Sequence, residues 1–321
     1  MNCEVAIPSH PPAVADGAVE TFTFDAESDG TPIFVRQWSP RHATVARLAV
    51  LIIHGLGEDG GKYDPLGQYL AAMGFHAYAL DLRGHGHTAA LAGANDSAWR
   101  AMTSDIQQLV EVIGTITPAA PLIAFGHSMG SLLTQSLMQT HGGMLAGAIL
   151  CDTAGSIPSL TDDRYQKLVA ALRSARAGSD VGATTVFFAP LLRAFTGPFA
   201  TSPVGPAASL PVRDTCRASP FPNEITYSVV EGAEELWRAE NEARIPRDLP
   251  IMVVAGVDRQ ADDDDEIASI RQLVNRYVNQ GQLALDYRLY PECRTDVIHD
   301  ALMRDRIHRL IGHWISQVID R

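Results

Sequence analysis

The stretch Leu122–Gln135, LIAFGHSMGSLLTQ, runs from a strand-like apolar segment straight into a helix-like one, with a serine at the join. PLIAF is short and uniformly apolar, the pattern of a buried strand. MGSLLTQSLMQTHG then places Leu132, Leu133, Ser136 and Leu137 on one helical face, with Gly142 as a stop. Between the two, Gly126-His127-Ser128-Met129-Gly130 fits G-x-S-x-G. A serine on so sharp a turn is strained, and flanking side chains would collide there, so the glycines are required. The turn exposes a hydroxyl at a helix N-terminus, where the dipole favours developing negative charge. Ser128 is therefore the candidate nucleophile, and the backbone N–H of Met129 a candidate oxyanion donor. A serine here disfavours dehalogenation and epoxide opening, which use a carboxylate nucleophile, and favours acyl transfer.

Outward from this turn, LAVLII, FHAYAL, PLIAF, LAGAIL, PIMVVAG and LALDYRLY are continuous apolar runs separated by amphipathic stretches. Continuous rather than alternating runs predict parallel strands covered on both faces. Leu66, Tyr69, Leu70 and Met73 share one helical face before Gly74. Ile106, Leu109, Val110 and Ile113 repeat the spacing, with Thr103 or Ser104 as expected N-cap. The acidic run Asp262–Glu266 is expected to open a helix, at the positive end of its dipole. Upstream, ETFTFD and IFVRQW flank a turn-rich segment and predict a hairpin. The expected fold is α/β: a mainly parallel, eight-stranded, doubly wound sheet with helices on both faces and an inserted cap. Residues 1–20 form a loose arm, 21–155 and 248–321 the core, and 156–247 the cap. The cap's prolines, aromatic and aliphatic residues suit a lid over an apolar pocket; a long irregular excursion is the alternative.

Composition narrows the function classes. The 321 residues carry a net charge of −12, with 37 acidic against 25 basic residues, which argues against nucleic acid or an anionic membrane surface as partner. No window approaches the ~18 apolar residues of a membrane span, and the N-terminal residues lack the pattern of a signal peptide. Cys3, Cys151, Cys216 and Cys293 are scattered without metal-ligand spacing. The expectation is a cytoplasmic protein with no cofactor and no metal, acting on a small apolar ester or related small molecule.

A second oxyanion donor is expected from the loop after LAVLII, HGLGEDGGKY, where the Leu56 N–H is the candidate. His54 in that loop reads as a bracing residue rather than a base, as do His85 and His87 in RGHGHT.

HGLGEDGGKYDPLGQYLAAMGFHAYALDLRGHGHT followed by GHSMGSLL resembles the monoacylglycerol lipase and lysophospholipase, serine aminopeptidase S33-type, branch of the α/β-hydrolase superfamily. The resemblance continues through IPRDLPIMVVAG and LYPECRTDVIHDALMRDRIHRLIGHWI. It implies a Ser–His–Asp esterase for acyl glycerols or lysophospholipids, with a mobile cap and no cofactor. Two positions depart from the family. The acid expected as G-x-x-D meets Gly256-Val257-Asp258-Arg259, so Asp258 comes one residue early. The histidine expected in Y-P-x-x-R-H-E meets Thr295, which cannot shuttle a proton near neutral pH.

Two readings follow. In one, His299 is the base, reached from a helix that starts near Asp296, with Asp258 or else Asp152 as the acid. In the other the triad is degenerate, and the fold serves non-hydrolytic chemistry or binds an apolar ligand.

Overall fold

The computed structural model describes residues 19–40, 47–88, 98–118, 120–155, 228–229, 232–233, 235–256, 264–291, 293 and 296–320. Each apolar run is a strand: β1 Val19–Asp25, β2 Pro32–Trp38, β3 Ala49–Ile53, β4 His76–Leu80, β5 Leu122–His127, β6 Gly147–Cys151, β7 Ile251–Gly256 and β8 Leu285–Tyr290. They form one sheet in the order β1-β2-β4-β3-β5-β6-β7-β8. The expected β1–β2 hairpin is present and antiparallel, as is β2 on β4, while every later pairing is parallel.

The central strands are buried on both faces, which is why their sequences do not alternate. Along β3, Ala49, Leu51 and Ile53 join one core cluster, and Val50 and Ile52 the other. Helices α2 Ala98–Ile116, α3 Met129–His141 and α4 Asp264–Asn279 cover the first face. Helices α1 Asp64–Ala72 and α5 Arg304–Ile319 cover the second. The acidic run does open α4, and Gly74, at φ 90°, ends α1.

Two local expectations are corrected, and a third holds in altered form. Helix α2 does not begin at Thr103 or Ser104: it is already helical at Ala98, and the Trp99 N–H donates to Ser228 Oγ at 2.7 Å. The serine that satisfies this first turn thus comes from 129 residues away in sequence. Gly142 does stop α3, which ends at His141; at φ −56° it opens a 3₁₀ turn, and a Cβ there would lie 2.5 Å from Pro246 Cδ. No helix starts near Asp296, which lies at φ 81° before a turn, and α5 begins only at Arg304.

Residues 152–250 lie between β6 and β7 in the chain, where the cap was expected. Most of it, residues 156–227, lies outside the described residues, as do residues 1–18 of the arm expected over 1–20; Val19 and Glu20 already belong to β1. Its returning end packs on the core: Trp237 Nε1 donates to Gln135 Oε1, and Gln139 Nε2 to Leu236 O. Cys151 and Cys293 are buried and free, and no described helix is long and apolar enough to cross a membrane.

Candidate active site

Ser128 stands at φ 52°, ψ −119°, between the end of β5 and the first residue of α3. This is the left-handed region that costs a residue with a side chain of order 1–3 kcal/mol, so the surroundings must impose it. They do so through hydrogen bonds from Ser128 N to Cys151 O (3.0 Å) and from Ser131 N to Ser128 O (2.9 Å). The glycines on either side allow β5, α3 and the end of β3 to meet without intervening atoms. A Cβ on Gly130 would lie 2.0 Å from Ile53 O, and one on Gly126 2.2 Å from Thr134 Oγ1. Ser128 is half-buried, and its hydroxyl makes no hydrogen bond to a described residue.

The loop after β3 is braced from below. His54 is fully buried, with Nδ1 2.8 Å from Gly55 O and Nε2 accepting from Leu82 N at 2.9 Å. That pattern needs the neutral ring protonated at Nδ1, and burial does lower its pKa. Arg83 of RGHGHT forms a buried bidentate pair with Asp105 at 2.6 and 2.9 Å, and Asp81 anchors the Gly60 and His87 amides. Both motifs therefore brace loops. The Gly55 N–H is committed to Glu58 Oε2 at 2.8 Å. The next amide, Leu56, and that of Met129 donate to no described backbone carbonyl, so both sequence-read oxyanion donors are unengaged.

Beside the elbow lies an ionic cluster that spacing along the chain does not reveal. Glu58, Tyr63, His127, Asp152, Asp296 and His299 arrive from the β3 loop, the turn before α1, β5, the end of β6 and the turns after β8. Tyr63 donates to Glu58 Oε2 at 2.7 Å, and its oxygen lies 2.9 Å from His127 Nδ1. With the phenol proton used on Glu58, His127 Nδ1 must carry a proton of its own. His127 Nε2 faces Asp152 Oδ2 at 3.5 Å and Asp296 Oδ1 at 3.6 Å, so both ring nitrogens point at acceptors. Burial opposes the charge, but Glu58 and Asp152 outweigh it and hold the imidazolium up to about 10. Glu58 is held well below the usual range: burial alone would raise it, and the charge and hydrogen bond of His127 reverse that. Asp296, desolvated among other carboxylates, is raised.

His299 lies in the turn after Asp296, 20% exposed at its side chain. Its Nε2 is 3.4 Å from Glu58 Oε1, and its ring packs edge-on to Tyr63 and His127, with centroids 5.0 and 5.4 Å apart. The structure thus brings His299 to the elbow, while no hydrogen bond joins it to Ser128. Asp152, at φ 44°, directs Oδ1 to Gly256 N (2.9 Å) and Oδ2 to Val297 N (3.0 Å), tying the end of β7 to the turn that carries His299. Asp258 and Thr295 lie outside the described residues. Glu58 was missed in the sequence; its only signal was an acidic residue inside a glycine-rich loop.

Glu58, His127 and His299 bring candidate metal-ligand atoms within 4.8 Å of one another, as do His127, Asp152 and Asp296. Both sets need His127 as a neutral ligand, whereas its surroundings hold it protonated. The donor set fits an ion-paired imidazolium better than a divalent cation.

The fold and this elbow define an α/β-hydrolase. Residues 44–301 match the family described as serine aminopeptidase, S33, and the chain belongs to that family. Among curated proteins it is 31% identical to the monoglyceride lipase of Rattus norvegicus over 122 residues, 37% of this chain and 39% of that protein. It is 30% identical to the monoacylglycerol lipase of Mycolicibacterium smegmatis over 128 residues, 39% of this chain and 44% of that protein. The chain thus spans about two fifths of the length of these relatives. A thermostable carboxyl esterase from Bacillus coagulans superposes with a TM-score of 0.72 at 23% identity, covering 94% of this chain and 99% of that one. The Saccharomyces cerevisiae monoglyceride lipase superposes at 0.63 with 18% identity, covering 96% and 99%. At these identities the superpositions show the fold alone.

Proposed function

We propose that this protein is a serine hydrolase that cleaves carboxylic esters of apolar acyl or aromatic substrates through an acyl-enzyme on Ser128. The observation that carries the proposal is the strained serine at a helix N-terminus, together with Leu56 and Met129 amides that donate to no described backbone carbonyl. Ser128 Oγ attacks the carbonyl, and the two amides receive the oxyanion. His299 takes the hydroxyl proton and returns it to the leaving alcohol; water then attacks the acyl-enzyme by the same route. Nε2 lies 3.4 Å from Glu58 Oε1, in ion-pair range without a hydrogen bond, and Nδ1 is the nitrogen left to accept this proton. A turn of the His299 side chain toward Ser128 completes the contact, as catalytic hydrogen bonds in empty sites often tighten only on binding. The sequence-read acid is Asp258, with Asp152 as the alternative; Asp152 already accepts from two backbone amides. The names of the lipase relatives and the apolar composition of residues 156–247 support an ester with an apolar acyl part. Residues 156–247 are proposed to cap the site, no cofactor is required, and the free buried cysteines suit the reducing cytoplasm.

A second reading, a triad-degenerate protein with non-hydrolytic chemistry or ligand binding, is favoured by the absence of a His299–Ser128 hydrogen bond among the described residues. Labelling by a fluorophosphonate separates the two. The hydrolase reading predicts a mass increase on Ser128 that Ser128→Ala and His299→Ala both abolish, together with turnover of p-nitrophenyl esters. Labelling that appears only after Thr295→His establishes the degenerate reading. Normal labelling of His299→Ala removes His299 from the mechanism.

A further inference from the structure

We infer that Glu58, on the loop after β3, is the carboxylate that positions His299, a role the family resemblance gives to an aspartate after β7. The inference rests on His299 being the base. Among the described residues, Glu58 is the one whose carboxylate lies within 4 Å of a His299 ring nitrogen, at 3.4 Å. The carboxylates of the other nearby acids are directed elsewhere. Asp152 accepts from the Gly256 and Val297 amides, and Asp300 Oδ1 accepts from the Leu302 and Met303 amides. Asp296 directs Oδ1 toward His127.

Glu58 is built to hold a fixed direction. Its Oε2 accepts from Gly55 N and from Tyr63 OH and lies 3.2 Å from His127 Nδ1, three contacts that lock the carboxylate plane. That leaves Oε1 to face His299 and the Lys62 ammonium at 3.2 Å. Lys62 is half exposed, so water screens it, whereas Glu58 is 8% exposed and its field on the imidazole is not screened in that way. As Ser128 passes its proton to His299, the charge that appears on the ring faces a carboxylate already in place.

The same carboxylate clamps the Gly55 amide beside Leu56. One side chain therefore sets both the oxyanion loop and the base. The family's acid position could then drift, as it has at Asp258, without leaving the imidazole unsupported.

The charged and titratable groups facing His299 are Glu58 from the β3 loop, Lys62 and Tyr63 before α1, His127 from β5, Asp296 in its own turn, and Arg304 and His308 from α5. Removing the negative charge of Glu58 leaves the cationic His127 nearby and makes protonation of the imidazole less favourable. The acid limb of the pH profile of kcat/KM then moves to lower pH.

The test compares wild type, Glu58→Gln, Glu58→Asp and His299→Ala for p-nitrophenyl ester hydrolysis against pH, fluorophosphonate labelling and Tm. Glu58→Gln is expected to lower kcat/KM at least ~10²-fold and to move the acid limb down by about half a pH unit or more. Glu58→Asp, whose carboxylate is drawn back by one methylene, is expected to shift the limb in the same direction but less. A merely structural role lowers Tm and rate and leaves the limb in place, which overturns the inference. If Glu58→Gln does not fold, an unmoved limb in Glu58→Asp overturns it equally. His299→Ala separates the two failures: if it labels normally, the base assignment falls and this inference with it. If it is dead while the Glu58 variants keep the wild-type limb, only the Glu58 role falls.

Discussion

Gly130→Ala tests whether the elbow geometry, rather than the serine alone, makes the site. The added Cβ would lie 2.0 Å from Ile53 O and 2.6 Å from His54 O, both backbone atoms at the end of β3. Ordinary contact begins at 3.4 Å, so the strand end and α3 must separate by about 1.4 Å. Neither side yields easily. Ile53 is fully buried and paired in register with Gly126, and His54 is pinned by Gly55 and Leu82. Overpacking of this kind costs roughly 2–3 kcal/mol, which in a protein of this size lowers Tm by about 3–5 °C. The shift falls on the segment leading to Leu56, so the distance between the two oxyanion donors changes by about an ångström. Misplacement on that scale is expected to cost ~10²-fold in kcat/KM for an ester and in the rate of fluorophosphonate labelling. Gly114→Ala is the control: nothing lies within 4 Å of its Cβ, and on the exposed face of α2 it should gain about 0.5–1 kcal/mol with unchanged labelling. A Gly130→Ala protein with wild-type Tm and labelling rate would show that the close approach of α3 to β3 does not constrain the site.

Two further outcomes follow from the buried charges. His127 is raised above the ordinary 6.5 to about 10, so its ion pairs contribute in full below pH 6.5 and are lost as pH rises toward 10. The gap in urea midpoint between wild type and His127→Gln should therefore narrow steadily across that window; a constant gap refutes the imidazolium. Arg83→Ala leaves Asp105 buried without its bidentate partner and should cost about 3–5 kcal/mol in urea unfolding, whereas a loss below 1 kcal/mol would mean that water or another cation replaces the guanidinium.

The six apolar runs that became β3 to β8 were legible because a strand covered on both faces has no polar side to show. The serine was legible for a local reason, since the steric demands of a strand-to-helix turn fall on residues within two positions of it. Helix α2 was misjudged at its start because the Ser228 hydroxyl that meets its first turn returns from the end of the insertion. The helix expected at Asp296 failed because that residue turns left-handed, and nothing in its neighbours announces it.

Local pattern therefore determined the sheet, its covering helices and the position of Ser128 at the strand-to-helix turn. Only the tertiary structure decided what surrounds that serine. The sheet order carries Glu58, His127, Asp152 and His299, the last 241 positions beyond the first, to one edge, and Coulomb interactions among buried groups depend on distance in space rather than along the chain. The pairing of His299 with Glu58 is a product of that convergence.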